Sequence, residues 1–265
     1  MPLQFEISNF AVEWKGEIRM YEELTKILKE SKRIAFFGGA GVSTESNIPD
    51  FRSEAGLYNA QQKYGMSPER MLSHSFFVQD TQTFFDYYKN NLIYQDAQPN
   101  QAHLALAKLE EMGKLNGIAT QNIDGLHQKA GSKAVYELHG SVLRNYCMHC
   151  GEFYDLDYIM DPDNCDGYIP KCKKCGGIVK PDVVLYEESL DEDQINGAVN
   201  AIRNADTLII GGTSLVVYPA AGFVNYFRGD KLVLINKSET AFDGRADLVI
   251  NDAIGKVLGE AVAAL

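Results

Sequence analysis

Short, almost continuous apolar runs that end in glycine or a polar side chain recur along this chain and limit its fold more than any other feature. They are RIAFFGG (33–39), NGIATQN (116–122), PDVVLY (181–186), DTLIIGG (206–212), KLVLIN (231–236) and ADLVIN (246–251). Runs of this length without polar alternation read as strands buried on both faces, the environment of a parallel sheet. Between them lie apolar residues at helical spacing: Ile18, Tyr21, Leu24, Ile27 and Leu28 first, then the stretches 101–112, 191–205, 219–227 and the C-terminal end. Alternation of this kind predicts an α/β fold, a doubly wound, Rossmann-like parallel sheet.

Two stretches break the alternation. Residues 53–91 are rich in aromatics (Phe76, Phe77, Phe84, Phe85, Tyr87, Tyr88) and read as a helical insertion. Residues 144–180 are rich in Cys, Lys, Gly, Asp and Pro and lack helical periodicity. The expected organisation is one unit over 1–265. Its large domain comprises 18–52, 92–143 and 181–265, with the helical insertion at 53–91 and a small module at 144–180.

That module carries four of the five cysteines. Cys147-x-x-Cys150 and Cys172-x-x-Cys175 stand 21 residues apart, and each second cysteine is followed by glycine, Gly151 and Gly176. This is zinc-ribbon spacing, and the glycines supply the positive φ that a metal knuckle needs. Four thiolates fill a tetrahedral site and leave no position for water, so one structural Zn²⁺ is expected. Cys165 has no partner and is not read as a ligand; His149, inside the first knuckle, is expected at the surface.

Composition narrows the setting. Twenty-five basic against 36 acidic residues give −11, which argues against phosphate-backbone binding and suits basic peptide partners. No apolar run approaches bilayer length and the N-terminal stretch is polar, so a cytoplasmic protein without membrane contact is the expectation.

Gly39-Ala40-Gly41-Val42-Ser43-Thr44 follows the first strand and is expected to open a helix, where backbone N–H groups suit a pyrophosphate. Thr44 stands where the dinucleotide fingerprint has its third glycine. A second strand end, Gly211-Gly212-Thr213-Ser214, would meet this loop at the carboxyl edge of the sheet. Asn236 ends a third strand, within reach of a ribose hydroxyl. Ile48-Pro49-Asp50-Phe51-Arg52 adds a rigid turn, an acid, an aromatic and a guanidinium, and Thr120-Gln121-Asn122-Ile123-Asp124 places four polar side chains at another strand end. His139-Gly140 follows fifteen residues later.

With GAGVST, IPDFR, TQNID, HG, the paired C-x-x-C, GTSL and Asn236 in this order over about residues 20–260, the chain resembles the sirtuin family of NAD-dependent protein lysine deacylases. The resemblance implies that Gly39, Ala40, Gly41, Thr44, Phe51 and Arg52 form the loop over NAD, with Phe51 shielding the ribosyl C1′. It implies that Gln121 and Asn122 organise ribose and water, that Ile123 and Asp124 form the nicotinamide pocket, and that Gly212, Thr213, Ser214 and Asn236 hold the phosphate and adenosine half. Val183, Val184, Leu185 and Tyr186 would pair with an extended peptide carrying the acyl-lysine.

Because four cysteines already satisfy the zinc, His139 is free to act as a general base, and an imidazole with a reference pKa of roughly 6.5 suits that task. In the family's mechanism, the acyl oxygen attacks C1′ as nicotinamide leaves. His139 then takes a proton from a ribose hydroxyl so that the 2′ oxygen can attack the resulting imidate. Products would be free lysine, nicotinamide and 2′-O-acyl-ADP-ribose. His74, His103 and His127 are read as structural.

Two departures bear on specificity. Many relatives have phenylalanine then glycine where Tyr186 and Glu187 stand, and Glu187 with Glu188 would favour basic residues beside the target lysine. No arginine occurs between Arg70 and Arg144 to pair with a charged acyl group, so acetylated lysines and other neutral acyl-lysines are the expected partners. The alternatives are protein ADP-ribosyl transfer, which differs only in acceptor, and a non-catalytic NAD-sensing scaffold.

Overall fold

The computed structural model describes residues 19–50 and 63–265. Its strands are β1 (Ile34–Gly38), β2 (Leu115–Thr120), β3 (Val135–Glu137), β4 (Gly140–Cys147), β5 (Phe153–Tyr154), β6 (Cys165–Asp166), β7 (Ile169–Pro170), β8 (Val179–Val183), β9 (Thr207–Gly211), β10 (Lys231–Ile235) and β11 (Leu248–Ile250). Six form one sheet in the order β11-β10-β9-β1-β2-β3, and every pairing in it is parallel. Among the described residues no helix is long and apolar enough to cross a membrane.

The continuous apolar runs follow from helices covering both faces. Ile34 and Phe36 of β1, Ile209 of β9 and Val233 of β10 point to one side, against Leu24, Leu106 and Leu258. Their neighbours Ala35, Phe37, Leu208 and Leu234 point to the other, against Ala198, Ile202 and Phe223. The first side is covered by the helical residues 19–30 with helices Gln101–Glu111 and Ile254–Ala263; the second is covered by helix Glu192–Arg203 and the 3₁₀ segment Ala220–Tyr226. From β1 the chain builds β2 and β3 on one side and β9 to β11 on the other. The β1/β9 junction is therefore the switch point where such sheets hold ligands.

The run at 181–186 differs from its expected place in this sheet. β8 pairs antiparallel with β4, with Val179 opposite Cys147, in a three-stranded sheet β5-β4-β8. The cause lies at the cysteines. β4 runs into the first knuckle and β8 leaves just after the second, so holding the knuckles together forces the two strands side by side in opposite directions. The four Sγ atoms lie within 4.8 Å of one another. Contacts of 3.4, 3.6 and 3.4 Å link Cys147 to Cys175, Cys150 to Cys172 and Cys175 to Cys150. Tetrahedral thiolates at zinc distance would sit about 3.8 Å apart, so the cluster fits a structural zinc ion. Gly151 and Gly176 have φ of 71° and 76°, as the knuckles require. His149 is exposed.

Cys147 and Cys172 are buried in the same cluster as the insertion's aromatics. Phe77, Phe84, Phe85 and Tyr88 meet edge-on or stacked, with centroids 5.0–6.4 Å apart. Each such ring contributes about 1.5–3 kcal/mol by leaving water. Arg144 of β4 joins this part to the main sheet, reaching Glu137 of β3 at 2.6 Å and Asp182 of β8 at 2.8 Å.

Zinc removal should therefore loosen more than the knuckles. A chelator, or Cys150→Ala, is expected to lower the thermal midpoint by roughly 10 °C or more, since a few kcal/mol shifts a domain of this size by about 2–4 °C each. Calorimetry with a colorimetric zinc assay checks this, and an unchanged midpoint after complete metal loss would show that the aromatic cluster alone holds the module.

Candidate active site

The cleft begins where β1 and β9 end. The Gly41 amide donates to the Gly212 carbonyl at 2.8 Å, and a Cβ on Gly41 would lie 2.7 Å from the Gly212 Cα. Gly212 itself has φ 58°, with no space for a side chain against Val42. The two turns touch backbone to backbone and together form a cradle at the carboxyl edge, where such sheets hold ligands. The helix expected after Gly39 is instead two 3₁₀ turns, Ala40–Val42 and Thr44–Ser46. Asn47, at φ 62°, ends the second, and the following Ile48-Pro49 pair disfavours helix. Thr44 closes this loop internally, its hydroxyl donating to the Gly41 carbonyl at 3.0 Å.

The end of β2 is stitched to the same edge. The Gln121 amide donates to the Gly38 carbonyl at 3.0 Å, and its side chain donates to the Thr213 hydroxyl at 3.2 Å. Ser43 donates to Asp124 at 2.7 Å and accepts from the Asn122 side chain at 3.0 Å. The other Asp124 oxygen accepts from the Leu126 amide at 2.9 Å. His139 stands opposite, its Nδ1 3.0 Å from the Gln121 carbonyl. A carbonyl can only accept, so Nδ1 carries the hydrogen, and in the neutral ring the lone pair then lies on Nε2. Next to it, Gly140 has φ 74°, and a Cβ there would lie 1.9 Å from the Asp182 carbonyl oxygen. The His139 carbonyl accepts from Val184 at 3.0 Å, which brings the 183–186 segment alongside.

These groups line one cavity of about 280 Å³. Gly39, Ala40, Gln121, Asn122, Ile123, Asp124, His139, Val183, Val184, Leu185, Tyr186, Gly212, Thr213 and Ser214 are on its wall. Gly41 and Thr44 sit behind that wall in the loop. Asn236 is off it, with its side chain donating to the Ser238 carbonyl at 2.8 Å. Phe51 and Arg52 lie outside the described residues. The wall also includes Leu72, Leu92, Tyr94, Val217 and Tyr218, which no sequence motif singles out, and Ser43. Ser43 lies inside GAGVST, yet spacing alone does not tell that it, and not Thr44, faces Asp124.

Behind Asp124, His103 and His127 are buried with ring centroids 4.7 Å apart. His103 Nδ1 accepts from the Asn100 amide, while its Nε2 and both His127 nitrogens have no partner among the described residues. Burial lowers the His103 pKa from 6.5 to about 4, against the pull of Asp124. Burial, then the nearness of His103, lowers His127 to about 3. Both are neutral bases that the unfolded chain would protonate first, so the stability they permit is complete above pH 6.5 and is lost as pH falls from there toward 4. Each should steepen the fall by up to about 1.4 kcal/mol per pH unit. Between pH 6.5 and 5, unfolding free energy is expected to drop about half as steeply in His127→Phe; an unchanged slope would contradict a neutral buried pair.

With this geometry established, comparison with known proteins is direct. The Sir2 family model matches residues 39–219. An NAD-dependent protein deacetylase of Clostridium acetobutylicum is 65% identical over 236 residues, 89% of this chain and 95% of its own length. That of Clostridium perfringens is 64% identical over 241 residues, 91% and 97% of the two chains. Among solved structures, a Sir2 complex with p53 peptide and NAD+ superposes with a TM-score of 0.80 at 35% identity, over 91% of this chain and 97% of the other. Sir2Tm bound to a propionylated peptide gives 0.79 at 35% identity, over 92% and 97%. The chain belongs to the Sir2 family.

Proposed function

We infer that this chain is an NAD-dependent protein lysine deacetylase, which moves the acyl group of acyl-lysine to ADP-ribose and releases nicotinamide, free lysine and 2′-O-acyl-ADP-ribose. The clostridial relatives are NAD-dependent protein deacetylases and align over nearly their full length. The observation that carries the reading is the His139 tautomer. With its Nδ1–H committed to the Gln121 carbonyl, the neutral form of His139 carries its basic lone pair on Nε2, on the wall of the cavity that the glycine cradle closes.

The cradle fits the diphosphate of NAD, because the two turns meet where any Cβ would intrude. When bound, NAD supplies the electrophilic ribose carbon and the nicotinamide leaving group. The protein's part is to orient and to move protons. Asp124, its carboxylate fixed by Ser43 and the Leu126 amide, accepts the carboxamide of nicotinamide. Asn122, held by Ser43, orients ribose and water, and His139 removes the proton from the ribose hydroxyl. Zinc, closed by four thiolates, takes no part in these steps.

The wall supports a neutral acyl group. Its described residues include no arginine or lysine, whereas Asp50, Asp124, Glu187 and Glu188 are acidic. Among the described residues a carboxylated acyl chain would meet no counter-charge, while acetyl needs only the apolar sides of Leu72, Leu92, Val183 and Leu185.

Mass spectrometry of a reaction with NAD and an acetyl-lysine peptide tests the reading. Wild type should yield nicotinamide, deacetylated peptide and O-acetyl-ADP-ribose together, and His139→Ala should lose on the order of 10²–10⁴ in rate as a general base is removed. Transfer of ADP-ribose to protein while the peptide stays acetylated would replace deacylation with the transferase reading.

A further inference from the structure

The segment that would carry the acyl-lysine peptide ends in a turn that the sequence does not favour. The Glu188 amide donates to the Leu185 carbonyl at 3.0 Å, and Glu187, third in this turn, has φ 78°. That is the third position of a type II turn, where glycine is at ease and a side chain is strained. The strained residue is held from across the cavity. One Glu187 carboxylate oxygen accepts both the Ser75 amide, at 2.8 Å, and the Ser75 hydroxyl, at 2.5 Å. These bonds hold its carboxyl below the usual range. Beside them, the Tyr186 amide donates to the Leu72 carbonyl at 3.0 Å and the His74 amide donates to the Tyr186 carbonyl at 2.9 Å.

Glu188 completes the fastening. One oxygen faces His74 Nδ1 at 2.9 Å; the other accepts from the Leu185 amide at 2.8 Å and from Lys180 at 3.3 Å. Both carboxylates that the sequence suggests for basic flanking residues are thus engaged within the protein. Leu72 and the 183–188 segment both line the cavity, so this seam joins the insertion to the peptide strand across the acyl-lysine entrance.

We infer that Glu187 is a positioning residue for substrate: its carboxylate, bound to Ser75, holds the Leu185–Glu188 turn against the helical insertion and keeps the peptide-pairing strand preformed. The inference rests on the reading of Val183–Tyr186 as the acyl-lysine strand. Loss of the carboxylate should free the turn and make the peptide bear the cost of ordering it, while the cradle and His139 stay in place.

The test compares Glu187→Ala, Glu187→Gly and Glu187→Gln. For Glu187→Ala, the KM for acetyl peptide should rise about tenfold, the worth of a hydrogen bond to a charged group. kcat and the KM for NAD should hold. Glu187→Gly relieves the strain and should show a smaller rise. Glu187→Gln keeps an oxygen facing Ser75 without the charge and should fall between wild type and Glu187→Ala in KM and thermal midpoint. Amide hydrogen exchange at His74, Ser75 and Tyr186, which needs no activity, should accelerate most in Glu187→Ala and least in Glu187→Gln. Unchanged exchange in Glu187→Ala overturns the fastening, and faster exchange with an unchanged peptide KM overturns the positioning role. A wild-type enzyme that consumes no acetyl peptide would instead defeat the deacetylase reading, leaving the exchange result to decide the fastening by itself.

Discussion

The contact between Gly41 and Gly212 is the constraint on which the cleft depends. Two strand ends meet there with no side chain between them, and the amide of one turn is satisfied by the carbonyl of the other at 2.8 Å. From this edge, backbone hydrogen bonds run outward. Gly38 accepts from the Gln121 amide, and the Gln121 carbonyl faces His139. The histidine is therefore registered to the cradle through main chain, which makes its orientation insensitive to the identity of the side chain at 121. The Gln121 side chain adds a cross-brace to Thr213, tying all three strand ends to one another.

A second constraint is metal geometry acting at a distance. The four-cysteine cluster fixes the ends of β4 and β8, and β8 leads straight into the segment beside His139. Zinc has no open position for a reaction here, yet it sets the direction from which that segment approaches His139. Arg144 reinforces the same junction. It bonds Glu137, two residues before His139, and Asp182, one residue before Val183, so both flanks of His139 share one guanidinium.

Much of this was legible in the chain because the signals are local. Strands β1, β2, β9, β10 and β11 are buried on both faces, so each reads as a continuous apolar run. Zinc ligands need only spacing and two glycines. What was not legible depends on partners far away in sequence. The 181–186 run has the same local pattern as a main-sheet strand, but its neighbour is decided by a knuckle some 30 residues upstream. β3, three residues long, offers too short a pattern to detect. Ser43 and Thr44 are chemically alike and adjacent; only the 3₁₀ geometry of the loop turns one toward Asp124 and the other back on Gly41.

The buried histidines gain a functional sense from the same geometry. A charged His103 would compete for the Asp124 carboxylate from behind, drawing its field away from the cavity. Burial keeps both rings neutral, so the carboxylate answers only to the Ser43 hydroxyl and the Leu126 amide. Those are fixed, uncharged donors that orient the group without cancelling its charge. Asp124 thereby faces the cavity with its orientation fixed, and His139 is the histidine that borders the same cavity. Burial separates His103 and His127 from His139: side chains of one chemical type are kept neutral in the packing or left at a cavity wall where water and ligand can reach them.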